Sequence, residues 1–186
     1  MCLVLFTLGL TLHKLIINNS PPIFSEGMEI NKMKQLIIMQ GISGSGKSTF
    51  VKAFKKKNDI VLSTDDYFID DDGNYNFDES KLKEYHMKTF TECVNKMQDT
   101  NRPEKVIKGI LGDVTIWLDN TNCKNKDVDP YISVAKLNGF KVFHIRADVT
   151  VTPLLNSKAS TEVVEQQKKD LDKYDYNHNA YWDRKD

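Results

Sequence analysis

From Lys34 onward, short continuous apolar runs alternate with segments whose apolar residues recur every three or four positions. The first kind suits strands buried on both faces, and the second suits helices with one apolar stripe. KQLIIMQ (34–40) predicts a first strand, and residues 47–57 a helix that leaves the loop after it. DIVLST (59–64) predicts a second strand. The turn-forming DDDGNYNF follows, and Asp78 is placed to cap a helix whose Leu82, His86, Phe90, Cys93, Val94 and Met97 share a face. VTIWLDN (114–120) and KVFHIRA (141–147) predict the third and fourth strands. Between them, Asp127 is placed to cap a helix over 128–137 that stops near Gly139. A last helix is expected over 161–173, ahead of an aromatic, polar tail. The stretch 101–113 fits either a short strand at VIKGI or a frayed helix end.

Strands and helices alternating at these spacings predict an α/β fold, a doubly wound and mainly parallel sheet with crossover helices. The first thirty or so residues break the pattern. MCLVLFTLGLTLHKLII is apolar over the length of a signal peptide, yet it has no basic leading region and no small-residue cleavage site. It is also too short to span a bilayer. NNSPPIFSEG reads as a linker, with Pro21 and Pro22 lacking amide donors, and Met28 or Met33 is a candidate start. The expected organisation is an extension over 1–33, poorly ordered or not native to the domain, one domain over 34–174, and a tail over 175–186.

Charge and cysteine content narrow the field of partners. The 26 Lys plus Arg balance 26 Asp plus Glu, so no overall field draws the chain toward nucleic acid or an anionic membrane. Any polyanion contact must be local. Cys2, Cys93 and Cys123 are an odd number at wide spacing without a CxxC pair. They argue against a disulfide framework and a zinc site, and they fit a reducing cytosol and a cytoplasmic location.

The chemistry is concentrated at the ends of the predicted strands. In GISGSGKST (41–49), Gly41, Gly44 and Gly46 let the backbone curl with its amides inward, so that Ser43, Ser45 and Thr49 join them in lining a phosphate site. Lys47 reaches β and γ phosphates, and the Ser48 hydroxyl suits Mg²⁺. The helix that starts there aims its positive end at the same anion. Preceded by a strand and followed by a helix, this stretch predicts ATP binding with Mg²⁺.

What becomes of the γ-phosphoryl group depends on the next strand ends. STDDYF (63–68) falls at the carboxyl edge of the sheet beside the loop, where α/β proteins bind ligands. A carboxylate there is placed to take the proton of an attacking hydroxyl, and Asp65 is the candidate base. The plainer alternative is that Asp65 and Asp66 cap a helix or start a turn. WLDNTN (117–122) supplies Asp119 as a candidate metal ligand alongside Ser48. Its plainer alternative is an Asp-Asn turn that caps the next helix.

Taken together, GISGSGKST, STDDYF, DNTN, GFKVFHIRADV and LLNSK, in this order over Lys34 to Tyr174, resemble the kinase domain of phage-type polynucleotide 5′-kinases and related P-loop kinases. The resemblance implies a P-loop kinase fold with a helical lid and casts Asp65 as the general base that activates a 5′-hydroxyl. The family's Asp-Thr-Asn corresponds to Asn120, Thr121 and Asn122, so the aligned acid is an Asn and Asp119 lies one residue earlier. In the lid, the family's arginines are replaced by Leu155 and Ala159. Lys158, which would join the nucleotide-binding set, Lys168 and Lys169 are the candidates to substitute as point charges, although a solvated helix face also explains them.

Other signals carry less. FIDDDGNYNFDE approaches a calcium loop at Asp70, Asp72, Gly73 and Glu79, but Phe68 stands in the first ligand place, and the stretch reads as a turn. His86 is expected as a satisfied interior residue with an acceptor-site role as the alternative, and Tyr67, Phe68, Tyr75 and Phe77 suit base stacking or loop packing equally. The sequence therefore predicts an ATP- and Mg²⁺-dependent kinase acting on a hydroxyl, foremost the 5′ end of DNA or RNA. The rivals are a small-molecule kinase, favoured by the zero net charge, and an ATP-binding module whose lid has lost its arginines. No membrane partner is expected, and the oligomeric state is left open.

Overall fold

Four parallel strands form one sheet in the order β2-β3-β1-β4. In the computed structural model residues 33–102, 112–147 and 159–174 are described. Along the chain run β1 (Lys34–Gln40), α1 (Lys47–Phe54), β2 (Ile60–Leu62), a 3₁₀ turn (Thr64–Phe68), α2 (Glu79–Asp99), β3 (Val114–Leu118), α3 (Asn125–Leu137), β4 (Lys141–Arg146) and α4 (Thr161–Asp172). β1 is central, pairing with β3 from Lys34↔Val114 to Ile38↔Leu118 and with β4 from Gln35↔Lys141 to Gln40↔Arg146. β3 thus takes the place between β1 and β2 that the first crossover leaves open. Ligands of such sheets bind where neighbouring connections diverge, outside the carboxyl ends of the strands.

The apolar runs of β1 and β3 are mostly buried on both faces, as their lack of alternation requires, whereas the edge strand β4 leaves Lys141 and Phe143 exposed. On one face Leu36, Ile38, Ile116 and Leu118 pack with Cys93 and Met97 of α2 and with Val128, Tyr131, Ile132 and Ala135 of α3. On the other, Met39 and Trp117 pack with Val51 of α1, flanked by Ile37, Phe50 and Ile145. The doubly wound architecture expected from the sequence is therefore present, and every strand pairing among the described residues is parallel.

The differences from the sequence reading lie at element ends. α1 stops at Phe54 and not 57, because Lys55 turns to extended backbone. β2 keeps only Ile60–Leu62, since the Ser63 side chain already accepts the Asp65 N–H and starts the 3₁₀ turn. β3 ends at Leu118, β4 at Arg146. Asp127 does not cap α3: the helix begins earlier, at Asn125, with Lys124 in the cap position, and Asp127 lies in its first turn, where a negative charge suits the helix dipole. Asp78 caps α2 as expected, accepting from Ser80 N–H. Residues 70–76 form the expected turn. Asp70 accepts from the amides of Asp72 and Asn74 and from the Asn76 side chain, so hydrogen bonds within the turn use its carboxylate. The stretch 103–111, Leu155 and Lys158, the expected extension up to residue 32 and the tail after Tyr174 lie outside the described residues. No described helix is long and apolar enough to cross a membrane.

Candidate active site

The loop between β1 and α1 starts under tight constraint. Gly41 N–H donates to Thr121 O at 3.0 Å, and Ala147 N–H donates to Gln40 O at 2.8 Å, so the loop's first residue is pinned between the chain ends leaving β3 and β4. A Cβ on Gly41 would stand 2.7 Å from Ser45 Oγ and 2.8 Å from Ala147 O. Gly44 and Gly46 take φ of 79° and 88°, the left-handed region that glycine enters without strain. Gly46 is also the cap residue of α1 and provides no side-chain cap, so the amides of the first turn are left for an anion.

Lys47 is 7% exposed and folds back on the loop that carries it. Its Nζ donates to Gly41 O at 3.0 Å and Ile42 O at 2.8 Å, with Ser45 Oγ at 3.4 Å. Burial lowers its pKa, against the opposing pull of Asp119, Cys123 and Asp65. These weak neutral partners are what a phosphate would replace, because an ammonium bonds an anion more strongly than a carbonyl.

Asp119 sits at the end of β3, 9% exposed. Burial raises its pKa, while a hydrogen bond from Ser48 and the charge of Lys47 pull the other way. Its Oδ1 is buried with no hydrogen-bond partner. A buried carboxylate oxygen left open next to a hydroxyl suits a small hard cation. Among the described residues no three His, Cys, Asp or Glu side chains gather to cage a metal. The pair therefore fits Mg²⁺, which is usually held by one or two protein oxygens and otherwise by water and substrate phosphate. The capping alternative for the Asp-Asn turn does not hold, since α3 has no side-chain cap.

Asp65 is exposed at the start of the 3₁₀ turn. Ser63, not Asp65, supplies that turn's cap, which leaves the Asp65 carboxylate uncommitted apart from Tyr75 Oη donating to Oδ1 at 3.4 Å. Burial, aided by Asp65, pushes the Tyr75 pKa up to about 12. The Asp65 charge also reaches Lys47 and Asp119. Its neighbour Asp66 has a raised pKa, first from partial burial and then from Asp119 and Asp65. Two carboxylates, Asp119 and Asp65, thus act on Lys47, and Asp66 is coupled to both of them.

The sequence reading missed what holds these groups together. Asn120 Oδ1 accepts the Thr64 N–H at 2.9 Å, and Asp119 O accepts the Ser63 hydroxyl at 3.0 Å, so the DNTN loop holds the turn that carries Asp65. Asn122, at φ 48°, donates Nδ2–H to Met39 O at 2.7 Å, and its own carbonyl accepts from Gln40 Nε2 at 3.2 Å. DNTN is therefore a bracket between the phosphate loop and the candidate base. Its Asn-rich composition was the only signal.

His86 is exposed and not the interior residue expected, although its Nδ1 lies 3.2 Å from Thr64 Oγ1, which also bonds Thr89 Oγ1 at 3.1 Å. Phe68 is buried and packs against Tyr85, Phe77 and Tyr75 at centroid distances of 4.8, 5.0 and 6.0 Å, which accounts for most of that aromatic cluster by packing. Lys168 and Lys169 are exposed on α4. A residue with no motif signal, Gln167 of the same helix, accepts the Ser43 N–H of the phosphate loop at 2.8 Å.

Comparison with known proteins follows the same lines. The chain is 31% identical over 115 residues to NEDD4-binding protein 2 of Homo sapiens, covering 61% of this chain and 6% of that protein. It is 32% identical over 130 residues to human YLP motif-containing protein 1, covering 63% and 6%. It therefore spans a small fraction of these two relatives. Among solved structures, a chain of the Pnkp1/Rnl/Hen1 RNA repair complex superposes with a TM-score of 0.54 at 17% identity, covering 82% of this chain and 47% of that one, a likeness of fold. The model of the AAA domain family AAA_33 matches residues 36–154, so the loop, the Asp65 turn and the DNTN bracket all fall inside it, and the chain belongs to this family of P-loop, kinase-type ATP-binding domains.

Proposed function

We propose that residues 34–174 transfer the γ-phosphoryl group of ATP to a hydroxyl, foremost the 5′-hydroxyl of a DNA or RNA end. The observation that carries this reading is the bracket: Asp65 is exposed at the carboxyl edge on a turn hydrogen-bonded to the same loop that pins Gly41. A base for the acceptor and a cradle for the donor are thereby fixed to one another.

In this reading the amides of Gly44 to Ser48 and the Lys47 ammonium hold the β and γ phosphates and offset the charge that spreads over the transferring group. Ser48 and Asp119 would hold Mg²⁺, which when bound would neutralise phosphate charge. Asp65 accepts the acceptor's proton as its oxygen attacks phosphorus, and ADP leaves in line. Catalysis here is positioning plus electrostatics, with no covalent step on the protein.

Support for a nucleic-acid acceptor comes from the motif set, whose Asp65 matches the base of the 5′-kinases, and from the likeness to a chain of an RNA repair complex. A second reading, a small hydroxyl acceptor, is favoured by the balance of 26 basic and 26 acidic residues. Transfer of labelled γ-phosphate to 5′-hydroxyl oligonucleotides, run against a panel of nucleosides and sugars, separates the two. Tight ATP binding with no turnover on any acceptor, indifferent to Asp65→Asn, would instead mark a binding module.

A further inference from the structure

α4 does not carry its polar face entirely to solvent. Its Gln167 is half-buried and lays its side-chain oxygen 2.8 Å from the backbone N–H of Ser43, third residue of the phosphate loop. The helix is held in place by contacts on several sides. Val164 and Leu171 are buried, Lys124 pairs with Asp170 at 3.0 Å, and Arg146 donates to Leu171 O at 3.4 Å and to Asp172 at 3.3 Å. A docked helix, and not a wandering loop, therefore brings a carboxamide to the mouth of the cradle.

An acceptor on a phosphate-loop amide occupies ground that a phosphate oxygen would otherwise approach. A carboxamide differs from the other acceptors in reach because it also carries two N–H donors. Among the described residues Gln167 Nε2 has no hydrogen-bond partner, so that donor capacity is unspent. Diphosphate oxygens belong to the amides around Gly46 and Lys47 at the start of α1. Ser43 lies before them along the loop, toward its start, and the third phosphate is the one proposed to reach it.

We propose that Gln167 is a further nucleotide-contacting residue, its oxygen seated on Ser43 N–H and its Nε2–H donating to the terminal phosphate of a bound triphosphate. It supplies from α4 a neutral donor to the terminal phosphate, a group that the related kinases grip with lid arginines. The proposal rests on reading the 41–48 loop as a triphosphate cradle, and it adds that the chain distinguishes ATP from ADP through this side chain.

The test measures dissociation constants of the full chain, with Mg²⁺, for ADP and for a non-hydrolysable ATP analogue. Gln167→Met keeps the length and removes the donor, and Gln167→Glu keeps an acceptor for Ser43 N–H but sets a negative charge against the phosphate. A lost hydrogen bond to a charged group corresponds to roughly tenfold in affinity. The expected result is a loss of about tenfold for the triphosphate in the Met variant and a larger loss in the Glu variant, with ADP within about twofold in both. Equal shifts for the two nucleotides, or none, would overturn the role of Gln167. Failure of the unmodified chain to bind either nucleotide would instead overturn the cradle and the proposal with it. Should the Met variant melt early, the Glu variant carries the same comparison, since its carboxylate still accepts from Ser43.

Discussion

Asn120 Oδ1 accepts the backbone N–H of Thr64 at 2.9 Å, and this bond ties the loop after β3 to the turn that presents Asp65. What the position needs is an acceptor, and an Asp provides one as well as an Asn does. Asn120→Ala should lower turnover about tenfold or more while the KM for ATP changes little, because a buried N–H is orphaned and the base is released from its register. Asn120→Asp should restore most of the activity. Steady-state kinetics on both variants check this, and equal loss in the two would show that the side chain acts other than as an acceptor.

Asp65→Asn keeps size and polarity but removes the proton acceptor. Turnover should fall by about 10² to 10⁴. Affinity for ATP, measured by calorimetry, should stay within about twofold, since no loop amide or Lys47 contact is touched. A variant that transfers phosphate at the original rate would remove Asp65 from the chemistry.

For Asp119 the pH dependence has a definite sign. Its folded-state pKa is raised, first of all by burial. Between the ordinary Asp value and the raised one, the folded chain binds more protons than the unfolded chain, so stability falls as pH rises through that window. Above it, the buried charge is a standing cost. Asp119→Asn should therefore raise Tm, by about 2 to 4 °C for each kcal/mol relieved, and more at about pH 8 than at about pH 4, near the ordinary Asp value. The same change should raise the Mg²⁺ needed for half-maximal turnover by about tenfold or more. Thermal melts at both pH values and a Mg²⁺ titration test the two halves separately.

Gly41→Ala places a methyl against Ser45 Oγ and Ala147 O, at a φ of 148°. Ser45 can rotate, but the Ala147 carbonyl is backbone and accepts no such adjustment. The expected cost is about 1 to 3 kcal/mol, read as a lower denaturant midpoint, together with weakened ATP binding as the loop shifts. Gly73→Ala is the control. Its φ is 82° with open space around it, so it should cost a comparable or smaller amount of stability and leave ATP binding alone.

Much of this was legible because it is local. The strands showed themselves as apolar runs, since burial on both faces removes alternation, and the phosphate loop showed itself because three glycines and a Lys-Ser pair serve one short backbone curl. Where α3 begins was not legible. Asp127 looked like the better cap, but the chain leaving DNTN is already fixed by Thr121 and Asn122, which sets the helix off at Asn125. Phe68 suits stacking or packing equally by sequence, and its burial against Tyr85 decides for packing, whereas His86, expected inside, is exposed beside Thr64.

By itself the sequence determined the order of elements, the glycine curl and the acids at the strand ends, because each depends on residues close together along the chain. Only the tertiary structure decided that Asn120 grips Thr64 across 56 positions and that Gln167 reaches Ser43 across 124. A backbone N–H donates to whatever acceptor oxygen the fold brings within about 3 Å. No local pattern of residues encodes which one that will be.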